Sequence, residues 1–172
     1  NPSGKLTMSF PQNVGQCPVY YNHYNTGRPH HNNLRYVSRY QDIPTESFYP
    51  FGYGLSYCDF KYTELYLNKH KMNKNETITV TIKIENQSDY AGYEVIQLYI
   101  QDLYGSVVRP VKELKAFKKE YFKPHEIKYI HFDIDIHMLK FWNEKLEFVA
   151  ESGEFKVFVG GDSVNVLEDR FE

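Results

Sequence analysis

The sequence predicts a mainly β protein: an antiparallel β-sandwich of about seven strands, preceded by an extended, loop-rich segment. Three observations carry that expectation. Tyr (16) and Phe (12) are abundant while Ala is scarce, and aromatic side chains favour strands where Ala favours helices. The stretch 77–86, TITVTIKIEN, alternates without a break. Six of the eight prolines fall within the first 58 residues, so regular pairing is expected to begin only after them.

The first 58 residues contain few alternating apolar runs. KLTMSF (5–10) and PVYYN (18–22) are each short enough and apolar enough for one brief strand. From Asn25 the chain runs NTGRPHHNNLRYVSRYQDIPTESFYP, punctuated at Gly27, Pro29, Pro44 and Pro50, as a long loop would be. A structureless loop of that length in a compact domain is expected to serve a function or to lie against something. Residues 1–58 carry a net charge of +2, which leaves −4 for the remainder of a chain at −2; neither value points to a partner.

From Asp59 onward the pattern is strand after strand. In TITVTIKIEN, Ile78, Val80, Ile82 and Ile84 face one way and Thr77, Thr79, Thr81, Lys83 and Glu85 the other, the signature of a half-buried strand. NQSDYAG supplies a turn. YEVIQLYIQD is more apolar throughout and is expected to be more central. RPVKELKAFKKEYF is expected to hold one or two short strands, with Pro110 near an edge. KPHE turns the chain, and IKYIHFDI alternates Ile130, Phe132 and Ile134 against polar neighbours. HMLKFWN suits a single helical turn, GEFKVFVGG another strand, and SVNVLEDRFE a last one. Short strands with turn signals at this spacing match an immunoglobulin or fibronectin type III architecture. The expected core is Leu65, Leu67, Ile78, Val80, Ile82, Ile96, Leu98, Ile100, Ile130, Phe132, Phe155, Val157 and Val159.

Several function classes find no support. The near-neutral charge offers no footprint for nucleic acid and no polybasic membrane patch, and no apolar run approaches the roughly 18 residues of a membrane span. Cys17 and Cys58 lack metal-ligand spacing; two free thiols are expected, with a long-range bridge as the alternative. Asp133 and Asp135 share one strand face but are expected to be a solvated strand end rather than a glycosidase pair. His23, His30 and His31 lie in the loop without the Cys or acidic ligands that would complete a zinc tetrahedron. No metal or cofactor is implied. Gly52-Tyr53-Gly54 has no helix after it to make a phosphate site. Asn75-Glu76-Thr77 and Asn86-Gln87-Ser88 match the glycan-acceptor pattern. The loop-rich tyrosines Tyr20, Tyr21, Tyr24, Tyr36 and Tyr40 suit either a sugar platform or burial against a partner surface.

One set of strings goes further. NPSGKLTMSFPQNVGQCPVYYNHYNTGRP, SRYQDIPTESFYPFGYGLSY, AGYEVIQLYIQD, RPVKELKAFKK and GEFKVFVGG closely resemble, in order and across essentially the whole chain, the C-terminal region of glycoside hydrolase family 3 enzymes, the β-glucosidase and β-xylosidase group. The resemblance implies a fragment. Residues 1–57 would be the C-terminal end of an α/β sandwich domain plus an interdomain linker, and residues 58–172 a fibronectin type III-like domain. Tyr49, Pro50, Phe51, Gly52, Tyr53, Gly54, Leu55 and Tyr57 would form the joint, with Phe48 beside them: stiff at Pro50, tightly turned at the glycines, wedged by rings.

The resemblance also implies what is missing. The family's nucleophilic aspartate and acid/base glutamate map onto no position here. The parent enzyme would be a retaining hydrolase of β-glucosides or oligosaccharides, and this chain a scaffold that clamps its catalytic domains. Arg28, Arg39 and Tyr40 would reach the substrate rim. The alternative is a stand-alone carbohydrate- or protein-binding sandwich. Exposed aromatics in residues 1–58 would allow self-association, and of the two compartments left open, the cytoplasm is favoured over secretion.

Overall fold

The computed structural model describes residues 1–30 and 34–172; His31 of the expected histidine group lies outside the described residues. Nine strands follow the N-terminal extension: β1 (Phe60–Leu67), β2 (Ile78–Asn86), β3 (Gly92–Asp102), β4 (Glu113–Phe122), β5 (Ile127–Ile134), β6 (Phe141–Trp142), β7 (Phe148–Val149), β8 (Phe155–Gly160) and β9 (Val166–Phe171). Seven of them make the two sheets of a sandwich, ordered β1-β2-β5 and β4-β3-β8-β9, and β6-β7 form a separate ribbon. All pairings are antiparallel. No helix of the described residues is long and apolar enough to cross a membrane.

Alternation builds the core. On β2, Ile78, Val80, Ile82 and Ile84 are all fully buried, and they face Ile96, Leu98 and Ile100 of β3 and Val157 and Val159 of β8 within one cluster. Each such side chain contributes about 1.5–3 kcal/mol by leaving water. Of the expected core only Leu65 is partly exposed, packed at the margin. It lies on edge strand β1 between Thr63 and Tyr66, where the register with β2 shifts and Glu64 takes a positive φ. Such a bulge twists an edge strand away from further pairing.

Four expectations change in detail. The segment 113–122 is one ten-residue strand, paired with β3 apart from a register shift at Lys115, with Lys119 on the outer face and Lys118 at the margin of the core beside the Phe132 ring. The helical turn comes one residue earlier, as α1 (Ile136–Leu139), capped by Asp135, whose carboxylate accepts from the amides of His137 and Met138. Phe141–Trp142 then pairs with Phe148–Val149. KLTMSF and PVYYN form no strands; the first makes one isolated bridge, Phe10 with Tyr49, and another, Tyr24 with Pro110, falls just beyond the second. Prolines at 11 and 18 remove the donors a longer ladder needs.

The other polar candidates have structural partners. Asp133 accepts from the Thr79 hydroxyl at 2.7 Å, and Asp135 is engaged in capping α1. Both thiols are free. Asn86 is fully buried and donates to the carbonyls of Tyr90 and Lys123, which closes the second glycan-acceptor triplet in the folded chain; Asn75 of the first is exposed.

Candidate functional site

The extension does not hang free. It lies on the outer face of the four-stranded sheet, and the joint is where it grips. Pro50 to Tyr53 form a tight turn closed by the Tyr53 amide on the Pro50 carbonyl at 3.1 Å. Gly52 occupies its third position at φ +81°, a conformation that L side chains avoid and that type II turns assign to glycine. A Cβ there would also strike the Gln97 side chain. The turn is held from both flanks: the Gly52 amide donates to Leu6 O and the Leu6 amide to Tyr53 O, each at 2.8 Å. A Cβ at Gly54 would collide with the Gly4 carbonyl, so this second glycine permits the two chain segments to touch.

Beneath the turn lies a group that the alternation rule assigns to solvent. Gln97, Tyr99 and Phe158 point outward from β3 and β8, yet they are 3%, 0% and 6% exposed. The Phe51 ring stacks on Tyr21 at 4.3 Å, and Tyr21 meets Tyr99 edge-on at 5.6 Å. The Gln97 amide nitrogen donates to Gly52 O at 3.2 Å and Gly161 O at 2.6 Å, while its oxygen accepts from the Tyr99 hydroxyl at 2.5 Å. Every polar atom of this buried amide has a partner, as burial demands. The Ser163 amide donates to Phe51 O, and Lys112, lying 4.3 Å above the Phe158 ring, donates to Ser163 O. Burial pushes the Tyr99 phenol far up and holds the Lys112 ammonium below its ordinary value, since a charged form loses its hydration there.

A second anchor sits at the edge of the sheet. Lys5 pairs with Glu94 at 2.9 Å, with side chains 16% and 6% exposed, and the Tyr62 hydroxyl donates to the same carboxylate oxygen at 2.8 Å. Burial first, then the Glu94 charge, raises the Tyr62 phenol well above its ordinary value. At the chain start, Asn1 accepts from the Tyr57 amide and the Ser56 hydroxyl and donates to Ala91 O and the Cys58 sulfur.

The expected joint residues therefore divide. Phe51 and Gly52 face the sandwich. Tyr49 stacks on Tyr53 at 4.9 Å and receives Phe48 and Phe10 edge-on. Phe48, Leu55 and Tyr57 are 58%, 71% and 73% exposed, Phe48 touching Tyr49 by one edge only. Pro50 stiffens the approach to the turn.

The expected rim residues also divide. Arg39 and Tyr40 line a depression of about 590 Å³ with Pro29, His30, Glu46 and Val111. Arg28 is not on its wall; its carbonyl accepts from the Ser38 amide at 2.9 Å and closes the loop. His30 meets Glu46 at 3.1 Å. Behind the depression, buried Gln16 donates to the carbonyls of Thr45 and Glu46, and Val111 ties the loop to the sandwich through its amide on His23 O. Among the described residues no group of three or more His, Cys, Asp or Glu side chains could hold a metal ion.

Comparison with known proteins places this arrangement. The fibronectin type III-like domain model matches residues 94–163. Over the whole chain, a periplasmic β-glucosidase of Salmonella typhimurium is 47% identical, covering 100% of this chain and 23% of that protein. A putative β-xylosidase of Formosa agariphila is 39% identical with 100% and 22% coverage. The crystal structure of a β-glucosidase from Listeria innocua in complex with gluconolactone superposes with a TM-score of 0.92 at 49% identity, covering 99% of this chain and 24% of that one. The chain belongs to the C-terminal region of the β-glucosidase-type family 3 glycoside hydrolases. It spans about a quarter of the length of the relatives it matches.

Within this glycoside hydrolase region, sequence reasoning expected a tight turn at Gly52 but missed most of what that turn binds. Tyr21, Gln97, Tyr99, Lys5 and Gln16 carried no signal as a group, because 76 residues separate Tyr21 from Gln97 in sequence. One signal was available: YEVIQLYIQD was more apolar than a strand with one solvated face requires.

Proposed function

We propose that this chain is the non-catalytic C-terminal part of a retaining β-glucosidase, serving as the scaffold on which the catalytic domains rest. One observation carries the reading: relatives named for β-glucosidase activity match this chain end to end and extend to about four times its length. The parent enzyme would hydrolyse terminal β-D-glucosides through a glycosyl-enzyme ester formed by one carboxylate, with a second as acid/base; neither group falls in these 172 residues. On this reading residues 1–57 close an α/β sandwich domain and link it to residues 58–172. Tyr49–Tyr57 is the joint, and the solvent-facing Phe48, Leu55 and Tyr57 are covered by the catalytic domains. Exposed rings also give the isolated chain a route to self-association.

The test is direct. The purified chain is expected to release no aglycone from an aryl β-glucoside at any pH, and the intact parent to hydrolyse it. Turnover by the chain alone would sink the proposal. The depression beside Arg39 and Tyr40 favours one finer point, contact with substrate at the rim. Arg39→Ala in the intact enzyme is expected to raise KM for an oligosaccharide more than for an aryl glucoside; unchanged constants for both remove the rim role. The same depression is what a stand-alone carbohydrate-binding module would use. Saturable sugar binding by the isolated chain, read from tyrosine fluorescence, would favour that reading instead.

A further inference from the structure

The outer face of the four-stranded sheet is only half covered. Gln97, Tyr99 and Phe158 lie under the extension. The other half, built from the first part of β3 and its partner β4, carries Tyr93, Val95, Phe117, Lys119 and Tyr121 on the same face. The register shows this: Tyr93 pairs with Tyr121, Val95 with Lys119 and Gln97 with Phe117. The two tyrosine rings meet edge-on at 5.1 Å and Lys119 lies 5.1 Å from the Tyr93 ring centre. Phe117, Tyr93 and Tyr121 are 66%, 46% and 44% exposed. A ring-rich stripe across two neighbouring strands of a sheet face is an unfavourable surface to leave wet, and aromatic side chains are what buried interface centres select.

We infer that this stripe is the docking surface for the polypeptide that precedes Asn1. This rests on the scaffold reading above, and it adds a sheet face to a contact otherwise confined to the linker. Two features of the molecule name the occupant. The stripe is continuous with the covered half of the same face, since Phe117 pairs with Gln97, the residue that holds the Gly52 turn. And Asn1 is moored at the same end of β3: its side chain donates to Ala91 O and packs against the face of Gly92 opposite the Tyr93 ring. The chain before Asn1 therefore starts from the end of the strand on which the stripe begins. The relatives place about three quarters of their length outside the matched region, ample to cover it.

Hydroxyl-radical footprinting of the intact parent enzyme, mapped by mass spectrometry, tests this. Tyr66 and Tyr129 serve as internal references; both are exposed on the three-stranded sheet, at 59% and 55%. The expected result is oxidation of Tyr93, Phe117 and Tyr121 several-fold slower than of Tyr66 and Tyr129. Equal oxidation of all five, fast or slow, overturns the inference. Assaying the same preparation on an aryl β-glucoside separates the two readings. An active enzyme with an unprotected stripe removes only the docking surface, while an inactive intact protein removes the scaffold reading itself.

Discussion

The extension and the sandwich are ordered by different physics. In the sandwich, alternation sorts side chains into a continuous apolar core, and the backbone is satisfied by ladders. Among the described residues of the extension there is no ladder and no core. It is held at points: Gln16 and Asn1 side chains on backbone groups, a glycine turn on Gln97, one buried ion pair, and a run of stacked rings. The difference teaches that a segment without periodicity is shaped by a template, here the outer face of a sheet, and that its order is conditional on that template. The sandwich is expected to tolerate losing the extension; the extension is not expected to hold its shape without the sandwich.

That asymmetry can be broken or sharpened by measurement. The largest effect belongs to the core: Ile82→Ala, at 0% exposure, is expected to cost about 2–5 kcal/mol in urea unfolding and to loosen both regions together. Loss of the sandwich signal alone, with the extension still protected from protease, would reverse the proposed dependence. Next comes Gly52→Val, which forces a β-branched residue into φ +81° against Gln97. About 1–3 kcal/mol of local strain should release the extension, seen as rapid protease cleavage within residues 1–57, while the sandwich keeps its unfolding midpoint.

A third test uses pH. Tyr62 and Tyr99 both sit above the ordinary tyrosine value, so the unfolded chain loses these protons first. Their contribution is whole below pH 10 and falls as pH rises past it, by about 1.4 kcal/mol per pH unit for each phenol. Lys112, held low by burial, acts in the opposite sense on the approach to its ordinary value. The tyrosine effect is therefore read as a difference: Tyr62→Phe should flatten the alkaline fall relative to the unsubstituted chain. Parallel curves would mean the Lys5–Glu94–Tyr62 anchor opens before it titrates. The smallest effect is at the rim, where Glu46→Gln removes an exposed pair with His30 and should change stability by less than about 1 kcal/mol.

The sequence made the sandwich legible and the mount largely illegible, for a physical reason. Val80 and Ile130 announce their burial through neighbours one residue away, because period two is a local property. Tyr99 and Phe158 are buried by a segment that arrives from far along the chain, and no local pattern encodes that. Gly52 was legible in part, since glycine in a ring-rich string marks a turn, but its contact with Gln97 was not. Glu94 was hidden in the same way: a lone acid on a strand looks solvated until a lysine from the chain start reaches it.

The mooring of Asn1 to Ser56, Tyr57 and Cys58 has a consequence for how the extension tolerates insertion. It staples the two ends of the first 57 residues together, turning them into a closed lariat. For a flexible loop with fixed ends, doubling its length adds only about 0.6 kcal/mol of closure entropy. The part of the stretch that carries Arg39 and Tyr40 can thus gain or lose residues at small entropic cost while the Gly52 turn keeps its geometry.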